Sequence, residues 1–216
     1  MTSAQMAKKL HAEDVLRLSP VMPVVVIEDA GIAEQLARVL LTAGVATIEV
    51  TLRTPAALDA IKAIAKSVPE MAVGAGTVLG EKDLDAAIEA GARYALAPGA
   101  SKKLLKAARK ADIPFIPGVA TASEIMEGLD AGYECFKFFP AENLGGAAAL
   151  KSLGAPLPQA RFCPTGGIGA DKVASYLALD NVLCVGGSWI TPAHKLKAGD
   201  WAAIETLAKQ AASFRS

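Results

Sequence analysis

Residues 47–78 read TIEVTLRTPAALDAIKAIAKSVPEMAVGAGTV, and this stretch decides the fold. It opens on a β-type run, Thr47–Arg53. It continues through Pro55–Ser67, where apolar residues recur at helical spacing, and closes on a second β-type run, Ala72–Val78. Strand, helix and strand in so short a span is a βαβ unit, the connection that joins parallel strands. The alternation extends in both directions. Further β-type runs lie at Val21–Ile27, Tyr94–Pro98, Phe115–Val119, Cys135–Pro140, Arg161–Gly166 and Val182–Ser188. Segments rich in Ala, Leu, Lys and Glu, such as Ile32–Thr42 and Lys82–Ala90, separate them. Helix ends are punctuated by Ala43-Gly44, Ala90-Gly91 and Ala131-Gly132, where glycine supplies a left-handed C-cap. Thr54-Pro55 reads as an N-cap followed by an N1 proline, and Thr121 to Glu124 as a capping box.

Eight such units of about 25 residues each predict an α/β fold: one (β/α)8 TIM-barrel domain over residues 1–216, with a short N-terminal helix. The strands are apolar on both faces, as strands covered by helices outside and filled inside must be. The competing doubly wound open sheet lacks its fingerprint. Gly74-Ala-Gly76 is followed by Thr77-Val-Leu-Gly80, which puts the last glycine one position late for GxGxxG.

Charge and composition narrow the function. The chain carries 22 Lys+Arg against 22 Asp+Glu and is 52% hydrophobic. No basic excess suggests a nucleic-acid partner, and any anion site must be local. Cys135, Cys163 and Cys184 are odd in number and scattered, so they form no disulfide framework and no CxxC pair. Two histidines, His11 and His194, are too few for an imidazole-rich metal site; both read as surface or capping residues. No apolar run approaches the ~18 residues of a membrane span. The opening MTSAQMAKKLHAEDVLRL has no uninterrupted apolar core, so no signal peptide or membrane partner is expected and a cytoplasmic address is.

Side chains alternate along a strand. In Thr47–Arg53, Ile48, Val50 and Leu52 suit a face under helices, which turns Glu49, Thr51 and Arg53 toward the interior. Three polar groups on one buried face are costly unless they pair or serve a site. A structural Glu–Arg pair would account for two of them; a functional site accounts for all three. In Cys135-Phe-Lys-Phe-Phe-Pro140, Lys137 shares its face with Cys135 and Phe139, opposite Phe136 and Phe138. A lysine is almost never buried unless paired. An apolar interior favours a neutral amine, the form that attacks a carbonyl. The third run ends in Gly74-Ala-Gly76, where the backbone can be approached closely, and Thr77 offers a hydroxyl. Pro98 and Gly118 mark other strand ends. The seventh and eighth runs end in Gly166-Gly167 and Gly186-Gly187-Ser188, where amides and a hydroxyl could cradle a phosphate. Lys102–Lys110 reads as a solvated basic helix face, and the cysteines as core, with Cys135 near the cavity. An interior amine, a carboxylate, an arginine and a phosphate cradle suggest carbon–carbon lyase chemistry through a Schiff base.

Glu49-Val-Thr-Leu-Arg53, Gly74-Ala-Gly-Thr77, Phe136-Lys-Phe-Phe-Pro-Ala141, Cys163-Pro-Thr-Gly-Gly-Ile168 and Gly186-Gly-Ser-Trp189 together resemble the class I 2-keto-3-deoxy-6-phosphogluconate (KDPG) / 4-hydroxy-2-oxoglutarate (KHG) aldolases, in order and over essentially the whole chain. The resemblance implies a barrel, usually homotrimeric, that uses no metal and no cofactor. It makes Lys137 the Schiff-base nucleophile and Glu49 the general acid/base. It places the pyruvate carboxylate on Arg53 and Thr77 and the phosphate on Gly166, Gly167, Gly186, Gly187 and Ser188. Pro98 and Phe139 would wall the pyruvate pocket. The substrate would be a small keto-acid phosphate, cleaved to pyruvate and glyceraldehyde 3-phosphate, with hydroxyoxoglutarate a second candidate. Rival readings are a phosphosugar isomerase or epimerase using Glu49 as base, a non-enzymatic sugar-phosphate-binding barrel, and a metal-dependent pyruvate aldolase.

Overall fold

A computed structural model describes residues 10–215 of the chain. Nine residues of the opening stretch therefore lie outside the described residues. Helix α1 (Ala12–Leu16) leads into β1 (Val21–Val25). There follow α2 (Ala33–Thr42), β2 (Thr47–Thr51), α3 (Ala57–Ser67), β3 (Ala72–Gly76), α4 (Glu81–Glu89), β4 (Tyr94–Leu96) and α5 (Lys102–Ala108). Strands β5 (Phe115–Ile116) and β6 (Gly118–Val119) precede α6 (Ala122–Asp130), β7 (Cys135–Phe138), α7 (Gly146–Gly154) and β8 (Arg161–Pro164). The chain ends with α8 (Val173–Leu177), β9 (Val185–Gly187), α9 (Ala193–Ala198) and α10 (Trp201–Ala212).

All strand pairs are parallel. Six strands run in the order β5-β4-β3-β2-β1-β9, and three more in the order β6-β7-β8. The first strand pairs with the last, so the sheet curls. The two ladders meet where Pro117 separates β5 from β6, and again through the bridges Phe162–Val182 and Thr165–Gly186. Proline has no N–H to give a ladder, which is why the single run expected at Phe115–Val119 is interrupted. Its carbonyl still accepts the Lys137 amide at 2.9 Å.

Two buried clusters follow from the alternation of side chains. Ile48, Val50, Val73, Ala75, Phe136 and Phe138 lie among the helix-covered residues. Met22, Tyr94, Leu96, Cys135, Cys163 and Leu183 fill the opposite, concave face, together with Val15 and Leu16 of α1. Gly44, Gly91 and Gly132 have φ of 88°, 91° and 82°, the left-handed caps expected of them. Thr121 and Glu124 form the capping box of α6. Thr54 is a correction. The helix after it starts only at Ala57, because the Thr54 hydroxyl donates instead to the Ile27 carbonyl at 2.5 Å.

Candidate active site

Glu49 and Lys137 meet on the concave face. Lys137 Nζ lies 2.7 Å from Glu49 Oε1, and both side chains are buried, with exposures of 6% and 0%. The strands bring them there by parity. Glu49 lies between helix-facing Ile48 and Val50, and Lys137 between helix-facing Phe136 and Phe138. Phe136 is seated against α6, where any side chain at Gly128 would strike its ring. Burying two opposite charges is expensive, and the pair is a weak stabiliser compared with an apolar replacement. Glu49 Oε2 is also buried and accepts no hydrogen bond among the described residues. A carboxylate with one oxygen on an amine and the other unused has an acceptor left for a ligand proton.

The glycines of β3 explain the room. A Cβ at Gly76 would lie 2.0 Å from Glu49 Oε1, and one at Gly74 2.2 Å from the Tyr94 ring. Gly74-Ala-Gly76 is thus spacing for the carboxylate and for a tyrosine, and not itself a turn. Tyr94 is the interior partner that the sequence reading missed. Its hydroxyl lies 2.6 Å from the Thr47 hydroxyl, which also donates to the Ala72 carbonyl. Burial, and next the charge of Glu49, hold the Tyr94 phenol well above its usual range, against the Thr47 hydrogen bond. Burial likewise pushes the Cys135 thiol up to about 12, as suits a core residue.

The remaining predicted residues sit at the ends of these strands. Thr77 follows β3 with φ of 62°, the only left-handed non-glycine among the described residues. A β-branched residue held there is strained by roughly 1–3 kcal/mol, and such strain clusters at binding sites. The Phe139 ring lies 5.7 Å from Lys137 Nζ, and a Cβ at Gly166 would lie 3.3 Å from it. Phe139 therefore spans the gap from the lysine to the first glycine turn. Pro98 is half-buried against β6, where a Cβ on Gly118 would strike its carbonyl carbon at 2.2 Å.

One expectation needs correction. Arg53 does not share the buried face. β2 ends at Thr51, the Arg53 amide turns back to the Thr51 carbonyl at 2.8 Å, and the side chain is exposed. A guanidinium cannot shed its charge, so it stays in water until an anion arrives. Glu49 consequently pairs with Lys137 and not with Arg53. Among the described residues no hydrogen bond or ion pair joins Arg53, or exposed Ser188, to the couple. The two glycine pairs also differ. Gly166 and Gly167 form a true turn, with φ of 107° and 77°. Gly186 and Gly187 lie within β9, paired with Met22 and Pro23. There glycine makes space: a Cβ at Gly186 would meet the buried Thr165 hydroxyl at 2.2 Å. His11 caps α1, with its amide on Asp14 at 3.0 Å, and His194 is exposed.

One further cluster went unread. Glu142, just beyond β7, accepts from Lys172 Nζ and, at 2.6 Å, from the Tyr176 hydroxyl. The hydrogen bond from Lys172 and then that from Tyr176 hold its carboxyl below the usual range. Glu142 and Tyr176 are 34 positions apart, so no local spacing could have announced the contact.

The fold and site define the class: a parallel α/β protein with a buried lysine–carboxylate couple on the concave face of its sheet and glycine-lined strand ends beside it. Comparison with known proteins makes the class specific. The family model for KDPG and KHG aldolase matches residues 12–207, and the chain belongs to that family. It is 52% identical over 203 residues to the KHG/KDPG aldolase of Escherichia coli K12, covering 94% of this chain and 95% of that one. A KDPG aldolase from Legionella pneumophila, holding pyruvate as a covalent carbinolamine, superposes with a TM-score of 0.93 at 45% identity, covering 95% of this chain and all of that one. The Zymomonas mobilis KDPG aldolase with 3-phosphoglycerate gives 0.89 at 50% identity, over 94% and 95% of the two chains. Among the described residues no helix is long and apolar enough to cross a membrane.

Proposed function

We propose that this chain is a class I aldolase that cleaves KDPG to pyruvate and glyceraldehyde 3-phosphate. Lys137 Nζ buried 2.7 Å from Glu49 Oε1 is the observation that carries the reading. Transfer of a proton to Glu49 over that distance frees the amine to attack the substrate's C2 ketone. Glu49 returns that proton to the carbinolamine hydroxyl, which leaves as water and gives an iminium whose positive nitrogen is the electron sink. Glu49 then takes the proton of the C4 hydroxyl. The C3–C4 bond breaks, the aldehyde leaves, and the bonding electrons settle in an enamine. A proton from Glu49 to the terminal carbon of the enamine restores the iminium, and water releases pyruvate. Glu49 Oε2, without a hydrogen-bond donor among the described residues, is suited to this traffic.

Arg53 and Thr77 bind the pyruvate carboxylate, with Pro98 and Phe139 as walls. The exposed guanidinium of Arg53 is free for a bidentate grip. The phosphate rests on Gly166, Gly167, Gly186, Gly187 and Ser188. The left-handed turn at 166–167 supports this by presenting successive amides. Hydroxyoxoglutarate is a second substrate. The curled sheet closes as one eight-unit (β/α)8 barrel domain, with β5 and β6 as a single stave interrupted at Pro117 and α1 as its N-terminal helix. A homotrimer and a cytoplasmic address complete the proposal on the strength of the family resemblance; sedimentation and fractionation test them.

The decisive experiment is borohydride reduction with pyruvate present, then peptide mass spectrometry. A pyruvate-sized adduct on Lys137 is expected. A folded protein without an adduct at saturating pyruvate would sink the mechanism and favour the isomerase reading.

A further inference from the structure

The Glu142 cluster joins two segments that leave neighbouring strands. The segment after β7, which carries Lys137, donates the Ala141 amide to the Thr165 carbonyl at 2.8 Å and the Glu142 amide to the Gly166 carbonyl at 3.1 Å. A Cβ at Gly167 would strike Glu142 Cβ at 2.9 Å, so the stem of Glu142 lies directly over the left-handed turn. Beyond the stem, its two carboxylate oxygens are held by Lys172 and Tyr176, which lie on the far side of the same turn. Tyr176 is itself anchored in the core, 1% exposed. The turn at Gly166–Gly167 is thus gripped from its own strand end, from the strand end of Lys137, and from α8.

We propose that Glu142 is a positioning residue: held by Lys172 and Tyr176, it clips the Gly166–Gly167 turn to the segment after β7 and so fixes the amides that receive the substrate's phosphate. This role rests on the aldolase reading. The turn is built from two glycines and would otherwise sample many conformations. Amides bind an oxyanion well only when already aimed. A bare carboxylate so close would repel a phosphate; the Lys172 ammonium offsets that charge, so the clip costs the site little electrostatically. The specific consequence is that the cluster matters for a phosphorylated substrate and not for one that lacks a phosphate.

The test compares kcat and KM for KDPG and for hydroxyoxoglutarate in Glu142→Gln, Tyr176→Phe and Lys172→Met. Weakening one hydrogen bond to a charged group is expected to raise KM for KDPG by about tenfold. The kcat for KDPG, both constants for hydroxyoxoglutarate, and pyruvate trapping on Lys137 are expected to stay within about twofold. Glu142→Gln separates a clip from mere electrostatics. Removing the negative charge alone would tighten phosphate binding, so a fall in KM overturns the proposal. Equal losses for both substrates, or an unchanged KM, overturn it as well. A large effect confined to Lys172→Met makes the lysine itself the phosphate ligand and also overturns the clip. Should Glu142→Gln fail to fold, Tyr176→Phe, which keeps the ring in the core, decides the question alone. A wild-type protein that neither traps pyruvate nor turns over overturns the aldolase reading and this role with it.

Discussion

Two buried polar pairs sit on one face of β2, two residues apart. Thr47 meets Tyr94, and Glu49 meets Lys137. The first pair is neutral and satisfied, since the Thr47 hydroxyl also reaches the Ala72 carbonyl. The second is ionic and incomplete, with one carboxylate oxygen unpartnered among the described residues. Both occupy the buried concave face of the curled sheet, whose other residues are largely apolar. The difference separates scaffold from site. A saturated network specifies and rigidifies a core, whereas an ion pair with an unused acceptor is a poor stabiliser and a good place for a substrate.

Four changes break or sharpen that contrast. Lys137→Met has the largest expected effect. It should abolish turnover and borohydride trapping, and the buried, unpaired Glu49 should destabilise the fold by about 3–5 kcal/mol in urea unfolding. Turnover close to wild type would move the nucleophile elsewhere. Glu49→Gln should still trap pyruvate as the iminium on Lys137, only more slowly, and lose ~10²–10⁴-fold in kcat, the usual share of general acid–base help. If KM alone changes, the carboxylate is structural like its neighbour Thr47.

Tyr94→Phe probes the scaffold pair. It should cost about 1 kcal/mol of stability through the lost hydrogen bond and leave kcat unchanged. A fall in kcat comparable to that of Glu49→Gln would merge the two pairs into one network. The phenol also carries a pH signature. Its folded value is raised above the ordinary 10.0, so its contribution is fully present below pH 10 and declines as pH rises beyond it. Urea midpoints measured above pH 10 should therefore fall less steeply in Tyr94→Phe than in wild type. The smallest effect belongs to Arg53→Lys. A point charge replaces a planar fork, and KM for pyruvate-derived substrates should rise several-fold, roughly 1 kcal/mol, with kcat little altered. An unchanged KM would leave the exposed guanidinium without its assigned carboxylate.

Much of this was legible in the linear chain because it depends on parity and punctuation. Alternation along Thr47–Thr51 and Cys135–Phe138 turned Glu49 and Lys137 away from the helix-facing residues, and glycine after α2, α4 and α6 announced their left-handed caps. Boundaries were less legible. Thr54 was misassigned as a cap because its hydroxyl found a carbonyl from another strand, and Arg53 was placed inside because the strand was read two residues too long.

The sequence by itself determined the order of strands and helices, the face each side chain takes within a strand, and hence most candidates for the interior. These are properties of local periods, 2 for strands and 3.6 for helices, and need no partner. Tertiary structure alone decided which candidates meet. It gave Glu49 to Lys137, 88 positions away, rather than to Arg53. It made Gly74 and Gly76 vacancies for Tyr94 and Glu49, and it clamped Glu142 between Lys172 and Tyr176. Each of those outcomes depends on strand register and curvature, which place residues distant in sequence within hydrogen-bonding reach and which no local period encodes.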